Sequence, residues 1–470
     1  MSDFAYLTAR DLVAAYRRRD LSPIEVVTAT LDRAEALQPR LNAFITICRD
    51  QALAAACGAE AASEPLGPLH GVPFSAKDLI PTAGVRTTWG SKVFADEVPE
   101  TDAIAVARMK AAGAILIGKT TTPEFGHGPL TEAPLFGRTA NAWHAERTSG
   151  GSSGGGAASI AAGIGPLALT TDGGGSTRIP AACNGVVGLK QTRGLVPDAQ
   201  IRDAFNSTAL TGPTTRTVAD NALMLSVLAG PHPLDPNSYG RALPDVVAAV
   251  DNPGDLSGVR VAWRPTMGNR LVDAEVLAGT AAAARRFTEF GATVETMTDD
   301  LTDEHGDWLL ASNAHWHSTF AHLLADHRDA MTPAVVAAIE SVHGHDAAAL
   351  QRANDSRTTL FRQIQGWFSD FDLILSPTLT RTAIPIDADF TAPLEIAGDP
   401  VGPLRQSWYP YTYPFNLSGH PAITIPAGFA ADGLPYALQI TGPLMRDDLV
   451  LRAAALFEQA QPWADRRPEL

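Results

Sequence analysis

Short apolar segments alternate with longer helical ones along most of this 470-residue chain. The segments "GVPFSAKDLI", "GAILIGKT", "VRVAWRP", "FDLILSP", "PAITIPAGF" and "LPYALQIT" have the length and composition of buried strands. Between them, "DAIAVARMKAAG", "DAEVLAGTAAAARRFTEFG" and "RDDLVLRAAALFEQA" have helical spacing, and the capping residues Ser22, Pro23 and Glu25 predict a helix over about 23–37. This alternation is typical of an α/β architecture.

The segment "GPHPLDPNSYGRALPDVV", residues 230–247, is the strongest candidate for a domain boundary because it is rich in Pro, Gly and Asp. The segments on its two sides are of the same α/β class. One continuous sheet and two separate domains therefore both remain open at this point.

The composition excludes several classes of protein. A net charge of -15 opposes binding to a phosphate backbone, so we expect no nucleic-acid partner. Three cysteines, an odd number without a CxxC pair, fit a reducing compartment. The N-terminal residues lack the pattern of a signal peptide, and no apolar run is long enough for a membrane span. We therefore expect a soluble, cytoplasmic protein that does not bind membranes.

The stretch "GAILIGKT", residues 113–120, matches the phosphate-binding pattern G-x-x-x-x-G-K-[ST]. In such a loop a strand precedes the first glycine, whereas here the residues between the glycines have the composition of the strand itself. The following "TTPEFG" does not continue as a long helix. We therefore expect no nucleotide, and no other cofactor.

The stretch "SGGSSGGGAAS", residues 149–159, has three interpretations. It fits G-x-S-x-G, which would make Ser152 the nucleophile of a hydrolase elbow, but "NAWHAERTSG" before it is a poor strand. A flexible linker does not explain the second cluster, "TTDGGGSTRIP", which follows after one segment of small residues. Two glycine-rich turns joined by a closely packed helix can face each other, as a site requires.

A nucleophilic serine needs a base, and the histidines of this chain are scattered. Lysine can lose its proton when buried, whereas arginine cannot. Of the five lysines, Lys77 is the best placed, because it lies between a strand-like run and a turn. A Ser/Lys hydrolase is therefore one of the functions that the residues leave open.

Lys77 in "GVPFSAKDL", Ser152 in "GGSSGGGAA" and Ser176 in "DGGGSTRIPAACNGVVGLKQT" resemble the three signature elements of the amidase signature family, and their separations of 75 and 24 residues are those expected. The resemblance continues through "GKTTTPEFG", "GPTTRTVADNALML", "FDLILSPT" and "NLSGHPAITIPAGF". It implies an α/β fold with a mixed central sheet wrapped by helices. It also implies one domain over 1–470, with a signature core at about 65–230 and a variable, substrate-binding region at about 300–415.

The resemblance implies an acyl-enzyme mechanism and a role for each residue of a Ser-Ser-Lys triad. Ser176 is the expected nucleophile, Ser152 a relay held by a cis peptide bond after Gly151, and Lys77 the neutral base. The expected oxyanion-hole donors are the backbone amides of Gly173, Gly174, Gly175 and Ser176. Structural support is expected from Asp172, Arg178 and Ser153. Gly173 departs from the family, which often has a bulkier residue there, and Gln191 stands where proline is usual.

The expected substrate is a small neutral amide with an aryl or moderately hydrophobic group, with esters or carbamates as side substrates. Neutral substrates are expected because "QSWYPYTYPFNLSG" contains no basic residue that could pair with a carboxylate; Arg405 lies just upstream of this segment. The end of the chain looks most like aryl acylamidases and cyclic nylon-dimer hydrolases. The residues expected to bind substrate are Phe125, Gly126, Thr148, Gly150, Gly151, Trp316, Trp408, Tyr409, Tyr411 and Tyr413.

The histidine pairs "HWH" and "HGHD" raise the question of a metal site. Residues two apart on a helix point to nearly opposite sides, so we expect no metal and a pocket-lining role for Trp316 or His317.

The alternative function is that of the amidase-like component of a tRNA-dependent amidotransferase. That component is expected to have an acidic residue just upstream of "NLSGHP", where this chain has Tyr409. The assembly state is open, and a homodimer is one alternative.

Overall fold

The computed structural model describes residues 4–205, 208–269, 271–299, 301, 305–389 and 392–470. Its strands are β1 Phe44–Ile47, β2 Pro73–Lys77, β3 Ile115–Thr120, β4 Glu132–Ala133, β5 Gly137–Arg138, β6 Leu167–Asp172, β7 Val187–Lys190, β8 Leu210–Thr215, β9 Arg260–Trp263, β10 Thr293–Thr296, β11 Leu373–Pro377, β12 Pro393–Ile396, β13 Asp399–Pro403, β14 Ala422–Phe429 and β15 Pro435–Thr441.

The α-helices surround these strands. They are α1 Ala9–Arg18, α2 Pro23–Leu41, α3 Arg49–Ala61, α4 Ile104–Ala111, α5 Gly154–Ala161, α6 Arg178–Asn184, α7 Val218–Leu228, α8 Val246–Asp251, α9 Ala274–Arg285, α10 His305–Phe320, α11 Leu324–His327, α12 Pro333–Glu340, α13 Ala347–Asp370, α14 Leu404–Trp408, α15 Tyr413–Ser418 and α16 Asp447–Ala460. In the described ranges, no helix is both long enough and apolar enough to cross a membrane.

Eleven strands form one central sheet in the order β1-β3-β2-β6-β8-β7-β14-β15-β11-β9-β10. The sheet is mixed, since β2 runs parallel to β3 and β6 whereas β6 runs antiparallel to β8. Strands from before and after residues 230–247 belong to it, so the alternative of one continuous sheet is confirmed. The mixed α/β class is confirmed too, and the assignment of 1–470 to one domain stays a prediction.

Helices bury both faces of the sheet. Successive residues of a strand point to opposite faces, and in β11 Leu373 and Leu375 belong to one apolar cluster while Ile374 belongs to another. The first cluster includes residues of α7 and α16, and the second includes residues of α13 and α15. The central strands β6, β8 and β7 are buried along almost their whole length because neither face meets water.

Most predicted elements are present, including all six strands named from the sequence. The stretch that resembles a phosphate-binding loop contains strand β3, so the rejection of that motif agrees with the structure. Helix α2 is longer than predicted: it passes Pro39 and ends at Leu41, because Asn42 adopts the left-handed conformation that closes a helix.

Two parallel neighbours, β2 and β6, position the site. Their register pairs Ala76 with Leu169, so the last residues of both strands, Lys77 and Asp172, reach the same edge of the sheet. A glycine-rich turn follows β6, and a second one precedes α5. The polar residues singled out in the sequence therefore converge at one end of the sheet.

Candidate active site

Lys77 is fully buried at the end of β2, and its amine contacts two hydroxyl groups. Its Nζ lies 2.7 Å from Ser152 Oγ and 2.9 Å from Thr171 Oγ1. Burial lowers the pKa of Lys77 well below its ordinary value, and the negative charge of Asp172 opposes this shift only in part. The amine therefore contacts a serine hydroxyl in a place where its charged form is disfavoured.

The two signature serines lie on the same cavity. The peptide bond between Gly151 and Ser152 is cis, in agreement with the family resemblance. The Ser153 amide donates to the carbonyl oxygen of Ser176 at 3.1 Å, and the Ser153 hydroxyl donates to the Thr171 carbonyl at 3.2 Å. Ser153 thus joins the turn of Ser152 to the turn of Ser176.

A buried ion pair fixes the turn that holds Ser176. Arg178 donates to both carboxylate oxygens of Asp172 at 3.0 Å, and it also donates to Asn416 and Gln439. Burial alone would raise the pKa of Asp172, but the Arg178 charge and the hydrogen bonds bring it to about 2. Asp172 is therefore ionised, and its carboxylate accepts hydrogen bonds from Arg178 and from backbone amides of the turn.

The backbone amides of this turn differ in what they contact. The Gly175 amide donates to Asp172 Oδ1 at 2.7 Å, so the prediction that Gly175 is an oxyanion-hole donor is wrong. In the described ranges, the amides of Gly173, Gly174 and Ser176 have no acceptor. A Cβ on Gly174 would lie 2.4 Å from the Trp308 ring, whereas one on Gly173 would meet only Ala209, at 3.6 Å.

A cavity of about 630 Å³ opens above these residues. Its aromatic lining comprises Phe125, Trp308, Trp316, Phe320 and Tyr409. The rings of Phe125 and Phe320 stack with centroids 4.1 Å apart. Gly126 and Gly151 also line the cavity, and a Cβ on Gly126 would lie 3.5 Å from Ser152 Oγ. The structure thus brings Phe125, Gly126, Gly151, Trp316 and Tyr409 together, as predicted.

The other predicted substrate-binding residues lie behind the cavity surface. Trp408 is buried and donates to the Arg381 carbonyl, and Tyr411 donates to the Pro265 carbonyl at 2.7 Å. Tyr413 stacks on the far side of Trp308 at 5.1 Å. The structure thus does not place these three residues on the cavity surface, because the indole of Trp408 and the hydroxyl of Tyr411 have backbone acceptors in the core and the ring of Tyr413 has a stacking partner.

Thr148 and Gly150, also predicted to bind substrate, are not among the residues that line the cavity. Thr148 is buried, and its hydroxyl accepts from the Gly150 amide at 3.1 Å. The Gly150 carbonyl in turn accepts from Thr131 at 2.8 Å. Both residues use their polar groups within the turn rather than toward the cavity.

Charged side chains line the cavity, contrary to the sequence argument for neutral substrates. Arg405 is among them, although it lies outside the aromatic segment. The others are Arg202, Asp203, Asp307 and Arg357. The premise that no cation faces the substrate from this region is therefore wrong.

The histidine pairs have separate environments. His315 lines the cavity, while His317 contacts the carbonyl oxygen of Ile339 at 2.9 Å. A pocket-lining role is thus found for Trp316 and not for His317. In the part of the chain that the structure describes, no group of three or more His, Cys, Asp or Glu side chains is arranged to hold a metal.

Comparison with known proteins agrees with this geometry. The family model described as Amidase matches residues 25–451. The chain belongs to the amidase family. It is 39% identical to an acylamidase of Rhodococcus erythropolis, over 98% of this chain and 97% of the relative. It is 35% identical to the A component of a glutamyl-tRNA(Gln) amidotransferase of Roseiflexus sp. (strain RS-1), over 99% and 98%. The crystal structure of a bacterial aryl acylamidase of the amidase signature family matches with a TM-score of 0.91 and 32% identity, over 98% and 97%.

Sequence reasoning missed Trp308 and Phe320 of this amidase. Both lie on α10 with Trp316, at spacings of eight and four residues. Residues four and eight apart share a helix face, so this spacing was a signal for a common aromatic surface. Only the structure shows that the surface faces the serines.

Proposed function

We propose that this amidase-family enzyme hydrolyses carboxylic amides through Ser176 as nucleophile, Ser152 as relay and Lys77 as base. The contact that carries the proposal is the one between Lys77 Nζ and Ser152 Oγ, which are 2.7 Å apart. The lysine in this contact is fully buried. Because burial lowers the pKa of Lys77 well below its ordinary value, it favours the neutral amine, which is the form that accepts a proton.

The reaction proceeds in two stages. Ser176 Oγ attacks the carbonyl carbon while its proton passes to Ser152 Oγ and the Ser152 proton passes to Lys77 Nζ. The tetrahedral intermediate collapses, the amine leaves with a proton returned along the same relay, and an acyl ester remains on Ser176. Water then loses a proton to the relay, attacks the ester and releases the carboxylic acid.

The amides of Gly173, Gly174 and Ser176 supply the oxyanion hole in this proposal. They belong to a turn that the Asp172–Arg178 pair holds rigid, so the donors need no rearrangement when the charge develops. Loss of one such donor costs about 3 kcal/mol of transition-state stabilisation.

Aryl or moderately hydrophobic amides are the proposed substrates, with aryl esters and carbamates as side substrates. The aromatic lining of the cavity supports this class, because aromatic rings hold apolar groups by burying surface. The experiment is a comparison of kcat/KM for anilides, p-nitroanilides, carbamates, short aliphatic amides and glutamine. Faster turnover of glutamine or malonamide than of every aromatic substrate would exclude this class.

The triad is tested with a fluorophosphonate probe. The wild-type protein is expected to be labelled on Ser176, and Ser176→Ala is expected to lose both the label and turnover. Ser226→Ala, at an exposed serine of α7, is the matched control and should keep both. Labelling on Ser152 would instead support the elbow interpretation.

A second candidate function follows from the identity of 35% to the amidotransferase component. Tyr409 stands where that function predicts an acidic residue, and it is buried in an aromatic surface, so we favour the free-standing hydrolase. Glutaminase activity measured with and without candidate partner proteins separates the two functions. Activity that appears only with the partners would favour the amidotransferase.

A further inference from the structure

We propose that Arg405 is a specificity-determining residue of this amidase, and that it recognises amides bearing a carboxylate near the scissile bond. The inference rests on the function proposed above, because it names a feature of the substrate of the same site. It replaces the expectation of neutral substrates, which rested on the absence of basic residues from the segment at 406–419.

Arg405 lines the same cavity as the proposed relay serine, and two neighbouring residues, Gly126 and His127, link them. Gly126 adjoins Ser152, since a Cβ on Gly126 would be 3.5 Å from Ser152 Oγ. His127 follows Gly126, and its Nε2 lies 3.0 Å from Arg405 Nη2. His127 and Arg405 both line the cavity. The guanidinium is therefore within reach of a substrate bound at the serines.

His127 holds this guanidinium without neutralising it. A guanidinium has only donors, so His127 Nε2 must accept, and the imidazole carries its proton on Nδ1. Burial, and then the charge of Arg405, keep the pKa of His127 well below its ordinary value. The imidazole is thus a neutral acceptor that orients Arg405.

Tyr409 holds Arg405 in the same way. Its hydroxyl is hydrogen-bonded to Arg405, and burial raises its pKa more than the Arg405 charge lowers it. The phenol is therefore neutral as well. His127 and Tyr409, both uncharged and both on the cavity surface, help to orient the guanidinium, whose N–H donors form a planar fork.

A carboxylate is the substrate group that fits this arrangement best. An arginine fork binds a carboxylate through two parallel hydrogen bonds, and charge-assisted bonds of this kind are stronger than bonds to a neutral oxygen. The Trp316 ring packs edge-on against His127 at 4.3 Å, so an apolar surface adjoins the cation. The expected substrate thus combines an aryl body with an acidic group.

The test uses two anilides that differ in one group. One carries a carboxylate and the other a nitro group, which is planar and of similar size but neutral, at the same ring position next to the scissile amide. Arg405→Gln is expected to lower kcat/KM for the carboxylate by about 10- to 100-fold, mainly through KM, because it removes a charge-assisted contact. The nitro compound should change by less than about threefold.

Two further variants complete the design. Arg405→Lys keeps the charge without the fork and should give an intermediate loss. Arg381→Gln, in an arginine that donates to the Glu395 carbonyl, is the matched control and should leave both rates unchanged. Equal losses for both anilides in Arg405→Gln would show a purely structural role and overturn the proposal, as would no loss for the carboxylate.

Failure of the proposed function is recognised separately. If the wild-type protein hydrolysed neither anilide, the hydrolase proposal would fail. Dissociation constants of the two anilides, measured by calorimetry, would then decide whether Arg405 recognises a carboxylate. Tighter binding of the carboxylate that Arg405→Gln abolishes supports the recognition of an acidic group. Equal dissociation constants in the two proteins overturn it.

Discussion

The floor and the wall of the cavity are built in different ways. The floor consists of the carboxyl ends of β2 and β6 with the turns at 149–153 and 173–177, and there Lys77 and Arg178 are fully buried with several polar partners each. The wall consists of α10 and residues 405–409. In α10 only His305 and Trp308 are buried, and aromatic contacts replace the ion pair. Changes in the floor should thus affect the rate or the stability, and changes in the wall should affect substrate affinity.

The largest effect is expected from Lys77→Met, which keeps the length of the side chain and removes the base. We expect kcat/KM to fall by roughly three to four orders of magnitude, the upper range for loss of general base catalysis. Lys92→Met, in an exposed lysine, is the control and should keep its rate. Steady-state kinetics on an anilide measures both. A loss below tenfold would remove Lys77 from the mechanism.

The pH profile isolates the same amine. Burial lowers the pKa of Lys77, so the neutral form that accepts a proton appears as the pH rises through that value. We expect kcat/KM to increase about tenfold per pH unit on the acidic limb and then to level off. Lys77→Met should lack this limb. A wild-type rate that peaks below neutrality would contradict a neutral lysine base.

Arg178→Met tests the rigidity of the floor. Removing one partner of a buried pair costs about 3–5 kcal/mol of unfolding free energy, whereas Arg138→Met in the exposed pair with Glu132 should cost less than about 1 kcal/mol. Urea denaturation compares the two. Equal costs would mean that the buried pair contributes no more than the exposed one.

The same pair makes stability depend on acid. The pKa of Asp172 is about 2 rather than its ordinary 3.8, so its carboxylate stabilises the fold above pH 3.8. This contribution, about 2 kcal/mol, is lost as the pH falls toward 2.

Glycines 173 and 174 give a test on the boundary between floor and wall. Gly174→Ala forces a methyl group against the Trp308 ring and should cost about 1–3 kcal/mol of stability with a loss of activity. Gly173→Ala has ordinary contact distance to Ala209 and should be tolerated. Thermal denaturation and kcat distinguish them. Similar melting temperatures and kcat values for both variants would show that the Trp308 ring moves to accommodate the methyl group.

The smallest effect is expected in the wall. Trp316→Leu removes part of the aromatic surface and should raise KM for an anilide by less than about tenfold, since truncating one hydrophobic contact costs about 1 kcal/mol. The value of kcat should stay unchanged, and so should the rate on a short aliphatic amide, which serves as the control. A fall in kcat comparable to that of Lys77→Met would erase the distinction between floor and wall.

The sequence predicted the floor better than the wall for a physical reason. Lys77, Ser152 and Ser176 each lie in a local motif. Parallel pairing of β2 with β6 brings the first and third motifs together, and α5 leads from the Ser152 turn back to β6. Gly175 is an exception, because its amide turns back to the Asp172 side chain and only the geometry of the turn shows this.

In the wall, neighbours in sequence have different partners. Tyr409 faces the cavity, Tyr411 donates to the Pro265 carbonyl, and Tyr413 stacks on Trp308. No periodicity separates these three tyrosines, since a turn and two short helices set their directions. Arg405 likewise reaches the cavity through its contact with His127, 278 residues away along the chain.

The partners of Arg178 are the last part of this turn's surroundings to be synthesised. Asn416 and Gln439 lie 238 and 261 residues downstream of Arg178. A ribosome must therefore complete and release these late segments before the turn that carries Ser176 has its full set of contacts. A fragment that ends before residue 416 thus contains Asp172 and Arg178 but lacks both of these downstream partners.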